Sequence, residues 1–237
     1  MLIIKSPREA FATPVQAVSG IVGKQRQTLP ILSNILISKV GTRVDFTATD
    51  LDIEIKTFAD IGAEGPDISV TVDAAKLQSL ISALNHGSEV TLSQPSQSDP
   101  TVELKQGKST FKLNTLPADE FPNRPEAQFT QSFAIPANQI RHLLQLVHFS
   151  MAQQDIRYFL NGMLLSVEGD VIRVVTTDGH RLAYCEGKLE SALTQNIQCI
   201  VPRRTVMEML RLIPDSDESI TIAISEAEIR ITWGNIT

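Results

Sequence analysis

Cysteine and long apolar runs are scarce in this sequence, and each shortage removes a class of protein. The two cysteines, Cys185 and Cys199, make neither a disulfide framework nor a metal cluster. No apolar run approaches the ~18 residues that would span a bilayer. Residues 1–4 are too short for the core of a secretion signal, and Pro7, Arg8 and Glu9 follow at once. Catalytic signatures are missing too: there is no G-x-G-x-x-G, no G-x-S-x-G, and no pair of cysteines or histidines at zinc spacing. Gly107-Lys108-Ser109 looks like the end of a phosphate loop. Position 102, however, is valine where that loop needs glycine, and a strand-like run follows instead of a helix, so it reads as a hairpin turn. What is left is ordinary globular usage: 237 residues, 42% hydrophobic, 20% charged, net charge −6. Disordered and collagen-like chains are excluded. The expectation is a reduced, cytoplasmic protein of one large domain or two of about 120 residues.

Four segments carry the helical i, i+3, i+4, i+7 pattern: Phe11/Pro14/Val15/Val18, Leu77/Leu80/Ile81/Leu84, Ile140/Leu143/Leu144/Val147 and Val206/Met209/Leu210/Ile213. The first and second are 66 residues apart, as are the third and fourth; first to third and second to fourth are both 129. Pro7, Asp73, Pro136 and Pro202 each stand four residues before the first apolar position, and such residues open helices. Gly87 and Pro214 are expected to stop the second and fourth helices, and Pro14 to bend or shorten the first. Short strand-like runs fill the gaps, and residues 34–50 align with 161–178 if one residue is inserted, starting from Asn34 against Asn161. The pattern predicts an α+β protein built from a β-α-β-β-β unit used four times, two units per domain. The domains are expected at 1–124 and 125–237, joined by a linker over 121–132. By this internal template the second domain lacks a last strand, which suggests a fragment of a longer chain.

Charge is segregated. The stretches 7–19, 73–85, 136–148 and 202–214 hold six basic residues against three acidic ones, net +3 in a chain of net −6. Arg204 and Arg211 share one helix face, and Arg141, Gln145 and His148 another. Such a layer fits either a polyanion held by non-specific phosphate contacts or a merely solvated face. Two acidic groupings also present themselves. Asp50, Asp52 and Glu54 alternate as if along one strand face that could take a cation. Asp178 and His180 could form an acid–base pair, although no nucleophile is tied to them.

The stretches FSMAQQDIRYFLNGM (149–163), TTDGHRLA (176–183) and VPRRTVMEMLR (201–211) closely resemble the bacterial DNA polymerase III beta subunit, the sliding-clamp family. TLPIL (28–32), TDLDIEI (49–55) and TLPADEFP (115–122) resemble its first domain. The resemblance runs through the whole chain in order. It implies a ring of clamp-fold domains, helices inside and sheets outside, encircling duplex DNA without reading sequence. No catalytic residue, metal or cofactor is implied. DNA-side residues implied by motif are Lys24, Arg26, Gln154, Arg203, Arg204 and Arg211, with Lys76 and Arg141 added by helix position and charge. Lys24-Gln25-Arg26 departs from the family's glycine-rich loop, which leaves open which cation contacts DNA. The family also takes peptides of the polymerase alpha subunit, clamp loader and repair polymerases in a cleft whose wall corresponds to Arg157, Leu160, Thr177, Gly179, His180, Arg181 and Leu182. The family has three domains and dimerises; the third is absent here, so ring closure is in doubt. Competing expectations are a two-domain subunit forming a trimeric ring, a peptide-binding module that never touches DNA, and a hydrolase using Asp178 and His180.

Overall fold

A computed structural model describes residues 1–23, 29–96 and 99–237. Lys24 and Arg26 therefore lie outside the described residues. The chain divides into two compact units, Met1–Pro125 with Asn235–Thr237, and Glu126–Gly234.

The first unit runs β1 (Leu2–Pro7), α1 (Arg8–Ser19), β2 (Asn34–Val40), β3 (Arg43–Thr49), β4 (Glu54–Ala59), β5 (Ile68–Asp73), α2 (Ala74–Ala83), β6 (Glu89–Ser93), β7 (Thr101–Gln106) and β8 (Ser109–Asn114). It forms two antiparallel sheets, ordered β1-β6-β7-β8 and β4-β3-β2-β5. The second unit repeats the plan with β9 (Gln131–Pro136), α3 (Ala137–Val147), β10 (Gly162–Glu168), β11 (Val171–Thr177), β12 (Leu182–Lys188), β13 (Ile197–Pro202), α4 (Arg203–Leu212), β14 (Ser219–Ile224) and β15 (Ile229–Thr232). Its sheets are β12-β11-β10-β13 and the three-stranded β15-β14-β9.

Helix starts follow from the residues. Pro7, Pro136 and Pro202 each end a strand and stand at the N-cap of the next helix, so strand passes into helix with no loop. A proline there ends the ladder and gives up an N–H that a first helical turn would leave unpaired. Asp73 does the same work with its carboxylate, accepting the Lys76 N–H at 2.8 Å. The apolar stripes face inward: Phe11, Val15, Val18, Leu77, Ile140, Leu144, Val147 and Val206 are all essentially buried. Within the first unit the Phe11 and Phe46 rings meet at 6.0 Å.

Several expectations need correction. The first helix continues through Pro14 for 12 residues and is not cut short by it. Pro14 is buried beside Val15 and Ala17, so packing outweighs the one lost helical bond. The second helix ends at Ala83, four residues before Gly87, because Leu84 already turns extended. Phe121 is no linker residue; it is buried with Ile31 and Leu32. The one-residue insertion between the repeats is also absent. β2 and β10 share one burial pattern when Asn34 lies opposite Gly162, and their turns fall on Gly41 and Gly169 at φ 59° and 60°. Matching Asn34 to Asn161 slips the strand by one residue, which would turn every core side chain outward. From strand β2 to strand β4 the true offset is 128.

Candidate functional site

The residues expected to form a peptide wall come together at one corner of the second unit. A 3₁₀ turn, Tyr158–Asn161, buries Leu160 beneath it. The Asn161 amide pins the preceding loop by accepting the Asp155 N–H at 2.9 Å and donating to its carbonyl at 2.8 Å. Arg157 grips Asp155 through Nε and Nη2, both at 3.0 Å, and donates its own backbone N–H to the same carboxylate. These bonds favour the ionised acid and hold the Asp155 pKa down to about 2.

The turn between β11 and β12 forms the opposite side. Thr177 Oγ1 donates to the Arg181 carbonyl at 2.7 Å and accepts the Gly179 N–H at 3.1 Å; Asp178 Oδ1 accepts the N–H groups of His180 and Arg181 at 3.0 Å each. Arg181 Nε completes an ion pair to Asp178 at 2.9 Å. Those two backbone donors come first among the causes that lower the Asp178 pKa. The carboxylate is thus spent on the turn and on Arg181, and its bond to His180 is to the backbone N–H. The backbone at position 179 favours glycine. Its φ is +90°, and an added Cβ would lie 3.3 Å from the Arg157 guanidinium.

Around this polar frame the surface is apolar. Leu182 is 65% exposed, Ile156 97% and Tyr158 82%, with Phe149 and Phe159 half-exposed. Beside it lies a hollow of about 450 Å³ lined in part by Phe149, Met151, Gln154, His180 and Arg181. The sequence expectation missed Ile156, Tyr158, Phe159 and Phe149. Their signal was present: an aromatic-rich run that fits no helical or strand period and therefore has no core to enter. Of the expected wall, Leu160 is buried, and Thr177 is spent on the turn.

The basic candidates are spread over the helices. Lys76, Arg204, Arg211 and Gln154 are exposed, with Arg211 paired to Glu208 at 2.7 Å and Gln154 at φ +58°. Arg141 and Arg203 are half-buried. Arg141 Nη1 donates to the carbonyls of Leu210 and Ile213, at 2.6 and 2.7 Å. Arg203 Nη1 donates to those of His148 and Met151, at 3.4 and 3.2 Å.

The acidic trio is also corrected. Asp50 and Asp52 belong to a turn, in which Asp50 Oδ1 accepts the N–H groups of Asp52 and Ile53 at 3.0 and 2.7 Å; only Glu54 lies in a strand. Among the described residues no group of three acidic, His or Cys side chains could hold a metal. Gly107-Lys108 is the two-residue turn between β7 and β8, with Gly107 at φ +55°.

Fold and surface define a duplicated α+β scaffold with an exposed apolar corner on its second unit and basic residues along its helices. The family models identify the particular scaffold. Residues 2–125 match the N-terminal domain of the DNA polymerase III beta subunit and residues 134–237 its central domain, so the chain belongs to that family. The beta sliding clamp of Pseudomonas aeruginosa is 39% identical over 232 residues, covering 97% of this chain and 62% of that protein. The Escherichia coli clamp is 36% identical over 228 residues, 96% of this chain and 61% of that one. A crystal structure of the P. aeruginosa subunit superposes with TM-score 0.92 at 36% identity, covering 100% of this chain and 63% of that one. The Caulobacter crescentus clamp gives 0.90 at 32%, covering 100% and 64%. The chain thus spans about 62% of the length of the curated relatives it matches.

Proposed function

We propose that this chain is the two-domain part of a bacterial processivity clamp. It holds duplex DNA loosely through its helical layer and takes partner peptides at the Thr177–Leu182 corner. One observation supports this most: two successive domains of one clamp family match in order along the chain, at TM-score 0.92 to a solved clamp. Lys76, Gln154, Arg204 and Arg211 are the DNA-side residues, together with Lys24 and Arg26, which the family motif implies and which lie outside the described residues. Contact with phosphates alone suffices for a tether that must slide, since base contacts would fix its register. Arg157, Gly179, His180, Arg181 and Leu182 form the peptide wall, and the exposed apolar side chains around them supply the area that anchors a short segment. Partners are the polymerase alpha subunit, the clamp loader and repair polymerases, in the cytoplasm. No helix among the described residues is long and apolar enough to cross a membrane. No observation favours hydrolysis at Asp178 and His180.

Two measurements test the reading. A labelled peptide from a polymerase alpha subunit should bind the chain in fluorescence anisotropy and lose at least tenfold in affinity with Leu182→Glu. Failure of the wild type to bind would remove the peptide role. Light scattering over a concentration series then addresses ring formation. A particle near 26.0 kDa would place ring closure in a longer chain, whereas a trimer of about 78 kDa, three times that mass, would make this a two-domain ring subunit.

A further inference from the structure

We propose that Arg141 and Arg203 are positioning residues for the DNA-facing helices and touch no phosphate themselves; this rests on the DNA reading above. Each is carried by one helix of the second unit and spent on the far end of the other. Arg141, in α3, closes the last carbonyls of α4 with two short bonds; Arg203, the first residue of α4, closes the carbonyls that follow α3. The two helices therefore run antiparallel, clasped at both ends. The first unit uses the same device, Arg8 at the start of α1 donating Nε to the Ile81 carbonyl in α2 at 3.0 Å.

The placement of Arg203 is otherwise unfavourable. A cation at a helix N-terminus meets the positive end of the helix dipole, whereas a cation at a C-terminus is stabilised. Arg203 starts a helix yet delivers its charge just past the C-terminal end of its neighbour, to the carbonyls of the C-cap His148 and of Met151. The last four carbonyls of a helix have no partner within it and carry roughly half a negative charge. On a surface that holds a polyanion, such ends repel phosphate. The arginines cancel that repulsion and fix α4, on which Arg204 and Arg211 are exposed, Arg211 beside Glu208.

The test separates contact from positioning through salt. The affinity of the chain for a labelled duplex oligonucleotide is measured by anisotropy over a sodium chloride series. Each phosphate contact adds about 0.9 to the slope of log K against log salt. Arg204→Gln and Arg211→Gln should each lower the slope by about 0.9. Arg141→Gln and Arg203→Gln should weaken binding two- to fivefold at fixed salt with the slope unchanged, and lower the melting temperature. Arg141→Lys, which keeps a donor and the charge, should restore most of the affinity and carries the comparison if Arg141→Gln does not fold. A slope reduced by about 0.9 in the Arg141 or Arg203 variants would overturn the proposal, as would unchanged affinity. A wild type with no duplex affinity at low salt would defeat the DNA reading itself, which is a separate outcome.

Discussion

Two turns in this molecule, 128 residues apart, are built alike and used differently. In Thr49–Ile53 as in Thr177–Arg181, the threonine hydroxyl donates to the carbonyl four residues on and accepts the N–H two residues on, while the aspartate gathers the next two N–H groups. The 3₁₀ turns beside them correspond as well, and Leu32 is buried where Leu160 is. The exposed positions are where they part. Leu29 stands for Arg157, Leu51 for Gly179, Asp52 for His180, Ile53 for Arg181 and Glu54 for Leu182. Leu160 and Thr177 thus have counterparts in both units, and the other residues expected in the wall are what makes the second corner different.

The largest expected effect concerns a position where the cores disagree. Lys39 is 1% exposed, and its ammonium donates to the Ala63 and Gly65 carbonyls at 2.9 and 3.1 Å; its counterpart Val167 is simply apolar core. Val167→Lys buries an ammonium with no designed acceptor and should cost several kcal/mol. Lys39→Val strips two carbonyls of their donor and should cost about 2 kcal/mol. Trp233 is the single tryptophan and belongs to the second unit, so urea unfolding by fluorescence should register the first change directly. Lys39→Val should appear mainly in circular dichroism.

The next effect exchanges the turns. Leu51 holds φ +79°, a strained backbone for a bulky side chain, where the second turn has glycine. Gly179→Leu should cost about 1–3 kcal/mol of stability and push Arg157 aside. Leu51→Gly relieves that strain but frees the unfolded chain, so its net change should stay within about 1 kcal/mol. Equal costs for the two variants in denaturation would break the correspondence. Leu182→Glu, which gives the second corner the residue of the first, should lose at least tenfold in peptide affinity, about 1.4 kcal/mol. Its unfolding should not move, because the side chain is mostly in water.

Much of the fold was legible because helices advertise themselves locally. Apolar spacing and a proline or aspartate four residues ahead located all four, and the 66- and 129-residue offsets revealed the duplication. Local pattern also misled. Asp50-Leu51-Asp52-Ile53-Glu54 alternates like a strand, but a carboxylate that bonds its own backbone overrides alternation. Asn34 and Asn161 look alike in sequence, while burial, which sets register, pairs Asn34 with Gly162. The roles of Arg141 and Arg203 were illegible for another reason. Their acceptors are backbone carbonyls 69, 72, 55 and 52 residues away, and a carbonyl has no letter in the sequence. The expectation of a peptide wall came from resemblance, and the exposed aromatics beside it only from solvent exposure.

The smallest effect lies in the Asp155–Arg157 ion pair that frames the corner beside Gly179. The Asp155 pKa of about 2 lies below the ordinary 3.8 chiefly because Arg157 bonds the ionised carboxylate. A depressed acid contributes its stabilisation in full above the unfolded value and loses it as pH falls through the folded one. The Asp155–Arg157 grip should therefore persist at pH 5 and fail progressively between about 3.8 and 2. A carbon-detected NMR titration of Asp155 should show a midpoint near 2, returning toward 3.8 in Arg157→Gln. Arg157 also lies over Gly179, so the same variant should loosen the second turn while leaving Thr49–Ile53 unchanged, since Leu29 has no guanidinium to withdraw. Amide exchange read at Gly179 and at Leu51 makes that contrast directly: faster exchange at both, or at neither, would mean that Arg157 does not support the corner.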